Sequence, residues 1–171
     1  DGLVCYHGGP DGSSYDKLGH AEVVQVQLDD QNDQNQNRST QQLADLLHMF
    51  FNKGFKKTSS GWSRHDPQDA GPEYRNQIGV PGGLDGVYSE IIRAANVNGM
   101  DLIEGQGGPD HDRTDNYVVY VMDSDRFPFF QGEDYHQFHE NVVLRRPVPD
   151  SYLIDLRAAQ RERLKVTSCP D

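Results

Sequence analysis

Apolar residues fall in short runs along this chain, separated by stretches rich in Gly, Asn, Gln and Asp, and the spacing inside each run predicts its element. Gly2 to His7 reads as a short strand, stopped by Gly8-Gly9-Pro10 and the polar turn Asp11 to Ser14. Ala21 to Leu28 gives the clearest strand signal: Val24, Val26 and Leu28 alternate with Gln25 and Gln27, so one face is apolar. Asp29 to Thr40 has no apolar residue and reads as a solvated loop. Thr40 is placed to cap a helix, because Leu43, Leu46, Leu47, Phe50 and Phe51 recur at helical spacing ahead of Gly54. Lys56 to Gly71 shows little periodicity and reads as loop.

Tyr74 to Val80 is a further strand, closed by Pro81-Gly82-Gly83. A second helix over Leu84 to Val97 turns Val87, Ile91, Ile92 and Ala95 inward and ends at Asn98-Gly99. Met100 to Glu104 is a short strand, Gly105 to Asp115 a loop, and Tyr117 to Met122 a strand by its β-branched and aromatic content. Glu133 to Val143 and Leu153 to Leu164 read as helices. Interleaved strands and helices place the chain in the α/β or α+β class, with a mixed sheet flanked by helices.

The length, 171 residues, fits one domain. Lys and Arg number 16 against 27 Asp and Glu, a formal net charge of −11. Such a balance argues against binding a nucleic-acid backbone or an anionic lipid surface, both of which draw on Lys and Arg. The longest apolar runs, such as Val118 to Met122, are far too short to span a bilayer as a helix. The sequence starts at Asp1, not Met, and shows no charged-then-apolar leader, so the expectation is a processed end or the start of a piece of a longer chain. Compartment is open on this reading; an organelle (a plastid or its lumen) and an exported location are both compatible with an acidic, processed chain.

Cys5 and Cys169 lie near opposite ends. Either they pair, closing nearly the whole chain with up to roughly 5 kcal/mol of loop-entropy stabilisation, or they are unrelated thiols. Asp110, His111, Asp112 and Asp115 resemble a cation loop only loosely, lacking the turn Gly and the closing Glu of a calcium loop, so a solvated acidic loop is the reading and no metal is expected. Phosphate-loop, dinucleotide and Cys-x-x-Cys patterns are missing, and no cofactor is expected.

Three segments, in order, carry a family likeness. The first is Tyr6-His7-Gly8-Gly9, then Tyr15, then Gly19-His20-Ala21-Glu22-Val23-Val24. The second is Asp69-x-Gly71-x-x-Tyr74-Arg75, and the third Phe129-Phe130-Gln131-Gly132-Glu133-Asp134-Tyr135-His136-Gln137. Together, with the apolar helix between the first two, they resemble the A-type peptide methionine sulfoxide reductases over about Val4 to Gln137. The resemblance implies a reductase-like α+β two-layer sandwich over residues 1–145 and a C-terminal extension over 146–171. It also implies roles. Reduction of a sulfoxide needs a thiolate to attack sulfur and a carboxyl, out of water, to protonate the departing oxygen. The carboxyl maps to Glu22, the oxygen-holding hydroxyls to Tyr15 and Tyr74, and the acidic residue that orders the pocket to Asp69. Tyr135 and His136 line the pocket.

Departures from the family pattern bear on function. Its Gly-Cys-Phe-Trp segment, which carries the nucleophile, is not among the 171 residues, and Trp62 has no adjacent Cys. Gln131 stands where Pro is usual, and His65-Asp66-Pro67 lies too close to Asp69 to match the family's own His-Asp-Pro. Cys5, with His7 on the same strand face, is a weak substitute for the nucleophile, and Cys169 has the place of a resolving thiol without a first thiol to resolve. The leading expectation is a non-catalytic relative that acts as a binding or structural (extrinsic) subunit of a larger assembly with a protein partner. The alternative is an active peptide-methionine (S)-S-oxide reductase whose nucleophile segment lies upstream of Asp1 and which a thioredoxin-like donor recycles.

Overall fold

A computed structural model describes residues 2–4, 21–28, 36–59, 61–66, 71–108, 110, 117–131, 154, 158 and 164–166. The chain divides into two compact units, Ser14–Phe127 and a second made of Asp1–Ser13 with Pro128–Asp171. In the second unit, β1 (Gly2–Val4) runs parallel to β7 (Phe130–Gln131) on one side and to β8 (Leu164–Val166) on the other. The helix expected over Leu153 to Leu164 thus stops short of Leu164, which belongs to β8; its described helical residues are Ile154 and Ala158. The helix expected over 133–143 lies outside the described residues.

Ser14–Phe127 holds a helix, a hairpin and a parallel sheet. Helix α1 spans Gln36–Lys53, so it begins ahead of Thr40 and the polar run before Thr40 is helical at its end rather than loop. Gln and Arg are good helix formers, and the stripe Leu43, Leu47, Phe50 and Phe51 supplies the packing that lets the polar turn extend it. Asn98 Nδ2 donates to the Phe51 carbonyl near the helix end, and Gly54 N–H donates to Phe50 O at 3.0 Å.

The stretch read as loop after Lys56 contains an antiparallel hairpin, β2 (Phe55–Thr58) with β3 (Gly61–Arg64). Its apolar content is one large residue per strand, Phe55 and Trp62, so it shows no alternation to read. Gly61 (φ 118°) opens the return strand, and Trp62 Nε1 donates to Asn98 O at 3.0 Å.

The sheet has the order β4-β6-β5, all parallel: β4 (Gln77–Val80), β5 (Asp101–Glu104) and β6 (Val118–Asp123). β6 is central and accordingly apolar on both faces, with Val119, Tyr120, Val121 and Met122 all buried. Helix α2 is shorter than the periodicity suggests, Ser89–Ala95, preceded by a 3-10 turn at Gly83–Asp85. Gly82 (φ 75°) and Gly83 (φ 55°) are left-handed and Gly86 is extended, so the first turn is broken, and Val87 is 85% exposed rather than inward. Ile92 and Ala95 are buried as expected. Helices α1 and α2, the hairpin and the sheet close one core around Leu47, Phe51, Phe55, Ile78, Ile92 and Val121. Helices with parallel and antiparallel pairing make this an α/β chain. Among the described residues no helix is long and apolar enough to cross a membrane.

One strand expectation is overturned. Residues 21–28 are in neither strand nor helix, and Val23, Val24 and Val26 are 42%, 87% and 53% exposed. The alternation is real, but among the described residues no strand pairs with this segment.

Candidate functional site

Of the residues that the reductase resemblance assigns, Glu22 and Tyr74 are described; Tyr15, Asp69, Tyr135, His136, Cys5 and Cys169 lie outside the described residues. The structure brings the first two segments together. Glu22 N–H donates to the Glu73 carbonyl at 2.7 Å, so the Glu22 backbone abuts the residue before Tyr74. The Glu22 side chain is exposed, whereas the proton-donor role needs a carboxyl out of water.

Tyr74 ends a 3-10 turn, Pro72–Tyr74, that leads into β4. Pro72 suits the first position because its fixed φ matches the turn and its missing N–H is an orphan there anyway. Tyr74 N–H donates to Gly71 O and Arg75 N–H to Pro72 O. Two arginines hold the turn from either side. Arg64, from β3, donates from Nη2 to Tyr74 O at 2.7 Å and from Nε to Asn76 Oδ1 at 3.2 Å. Arg75 donates from Nη1 to Pro72 O at 3.1 Å. Asn76 then ties the turn to the central strand, with Nδ2 donating to Val118 O at 3.0 Å. Arg64 has only donors and a carbonyl only accepts, so the orientation of the Asn76 amide is forced.

Behind the turn lies a buried charged group. Arg75 is 7% and Asp110 4% exposed, and Tyr120 is almost wholly covered. Burial pulls the Arg75 guanidinium below its ordinary value, and the Asp110 carboxylate and Tyr120 act against that. Asp110 Oδ2 in turn accepts from the N–H groups of Gln106 and Gly107 at 2.7 and 3.0 Å. The sequence reading of Asp110 as one of a solvated acidic cluster misses this: it is a buried acceptor that closes the turn after β5. Glu73 Oε2 and Gln77 Oε1 are buried oxygens with no hydrogen-bond partner. Among the described residues no three His, Cys, Asp or Glu side chains converge as metal ligands would.

The arrangement offers a half-buried phenol, Tyr74, on a turn fixed by two guanidinium groups, with the Glu22 segment hydrogen-bonded alongside. A phenol carried on a turn whose backbone is held in this way can donate to an acceptor oxygen such as that of a sulfoxide. Sequence reasoning found Tyr74 and Glu22; it gave no role to Arg64, which lies in the hairpin it read as loop, or to Arg75 and Asn76, which follow the turn. Comparison with protein-family models, with curated proteins and with solved structures gives no match to this chain.

Proposed function

We propose that this chain carries a methionine sulfoxide recognition site of the A-type reductase kind, built on Tyr74 and Glu22. The observation that carries the reading is the 2.7 Å backbone bond between Glu22 and Glu73, which joins two segments far apart in sequence that resemble the family's acid and tyrosine motifs. The clamped turn supports it, because a hydrogen-bond donor that serves a ligand has to be held before the ligand arrives. These 171 residues hold no Gly-Cys-Phe-Trp nucleophile, so the chain as given binds a sulfoxide without reducing it and serves a larger assembly as a binding subunit.

The test is calorimetric titration with an N-acetyl methionine sulfoxide amide, its methionine counterpart as control. Sulfoxide binding at least tenfold tighter than methionine, and lost in Tyr74→Phe, is the expected outcome. Equal affinities would overturn the recognition site. Turnover of the sulfoxide with dithiothreitol at enzyme-like rates would overturn the non-catalytic part and favour a reductase.

A further inference from the structure

The outer edge of β4 and the extended segment beside it fit one another. Tyr120 N–H donates to Asn76 O and Ser124 N–H to Val80 O, so the alternation of the ladder turns the backbone groups of residues 76, 78 and 80 toward β6. The N–H and C=O groups of Gln77 and Gly79 therefore point off the sheet. In the order β4-β6-β5, no described strand pairs with that edge.

The bond from Glu22 N–H to Glu73 O has the same parity. Continued in parallel, it sets the N–H groups of Val24, Val26 and Leu28 on the carbonyls of Arg75, Gln77 and Gly79. The Gln77 and Gly79 N–H groups then reach the carbonyls of Val24 and Val26. Pro81 has no N–H, and the ladder ends there. This register stands Val24, Val26 and Leu28 beside Asn76, Ile78 and Val80, whose side chains are buried. Gln25 and Gln27 fall beside Gln77 and Gly79 on the opposite face, where a Cβ at Gly79 would meet nothing within 4 Å. Hydrogen-bond parity and side-chain polarity thus select one register. The next carbonyl along, Arg75 O, is approached by Arg64 Nη2 at 3.5 Å, a long contact that the first new rung displaces.

We propose that Ala21–Leu28 is a strap that closes as a fourth, parallel strand on the outer edge of β4, started by the Glu22–Glu73 bond. Its consequence for the site rests on the sulfoxide reading above: closure sets Glu22 directly across from Tyr74, on the same face, and takes its carboxyl out of water.

Paired cysteines test the register in the full chain with Cys5 and Cys169 replaced by Ser. Directly opposed positions on neighbouring strands come within disulfide reach, whereas a shift of two residues puts the Cα atoms about 8 Å apart, beyond it. Gln25→Cys/Gln77→Cys and Gln27→Cys/Gly79→Cys are expected to oxidise at least tenfold faster than the off-register Gln25→Cys/Gly79→Cys. Equal rates, or no cross-link in either in-register pair, would overturn the strap; any one antiparallel register opposes at most one of the two pairs, so cross-linking of both is particular to parallel addition. Titration with the N-acetyl methionine sulfoxide amide then separates the strap from the site. Affinity at least tenfold higher in the cross-linked than in the reduced Gln27→Cys/Gly79→Cys chain is expected. Cross-linking without a change in affinity leaves the strap standing and overturns its role at the site.

Discussion

Replacing Asn76 with Ala tests whether the Tyr74 turn is held as described. Asn76 is 6% exposed and its amide is used at both ends, as acceptor from Arg64 Nε at 3.2 Å and as donor to Val118 O at 3.0 Å. The neutral bond to the carbonyl contributes about 1 kcal/mol, and the bond to the guanidinium about 1.5–3 kcal/mol when fully formed. The second is long, and Arg64 keeps its 2.7 Å bond to Tyr74 O, so the lower end applies. Asn76→Ala should therefore cost about 2.5 kcal/mol. With an m-value of about 1–3 kcal/mol/M, the urea midpoint falls by about 1–2.5 M. Asn76→Asp is the informative partner: it keeps the acceptor for Arg64 but turns an oxygen toward Val118 O. It should be at least as destabilising as Ala, because it buries two facing acceptors. A cycle of Asn76→Ala with Arg64→Ala should show a coupling of about 1 kcal/mol. An Asn76→Ala cost under about 0.5 kcal/mol, or additive effects in the cycle, would refute the tie between the hairpin, the turn and the central strand.

Further outcomes follow from the same structure. Asp110→Ala removes the acceptor of two backbone N–H groups from a buried site, and should cost about 2–4 kcal/mol by chemical denaturation. Gly61→Ala should destabilise by more than about 1 kcal/mol, since φ is 118° and the new Cβ would lie 1.7 Å from the Tyr117 ring. Gly79→Ala should stay within about 0.5 kcal/mol of the parent, its Cβ entering open space. Asn96→Ala should destabilise by about 1–2 kcal/mol, because its side chain both donates to Met100 O at 2.7 Å and accepts from Met100 N–H at 3.0 Å, closing the link from α2 to β5.

What was legible in the sequence was what repeats. The stripe from Leu43 to Phe51 and the apolar run after Tyr117 are long enough for periodicity to show; the strand stands within a residue of its expected bounds, and the helix ends as expected but starts four residues earlier, at Gln36. The hairpin was not legible, because a four-residue strand with one large apolar side chain carries no period, and its turn reads as polar loop. The second helix was drawn too long for a different reason. Apolar spacing runs back to Leu84, but Gly82 and Gly83, both at positive φ, set the backbone there, and local conformation prevails over pattern. At the site, Tyr74 and Glu22 were visible through motif likeness. The burial of Arg75 and Asp110 was invisible, since nothing in a sequence says that a charge faces inward, and Arg64 was hidden with the hairpin that carries it.

The Ala21–Leu28 segment is where pattern and structure part most sharply, and an energy comparison shows why both can hold. Closing the strap adds up to about five backbone hydrogen bonds, each contributing about 1 kcal/mol net. Covering Val24 and Val26, now 87% and 53% exposed, contributes roughly 3 kcal/mol more. Against that stands the conformational entropy of fixing about six residues, at roughly 1–2 kcal/mol each. The two sides cancel to within a few kcal/mol. A strand pattern this short, added at an edge, is therefore poised between open and closed. A ligand that touches Glu22 and Tyr74 together shifts that balance only through its greater affinity for the closed form, and a tenfold preference, about 1.4 kcal/mol, is enough to move it appreciably. By linkage, locking the strap must raise ligand affinity by the same factor that the ligand raises closure. A chain that cross-links readily yet binds no better would place the recognition chemistry elsewhere than on Glu22.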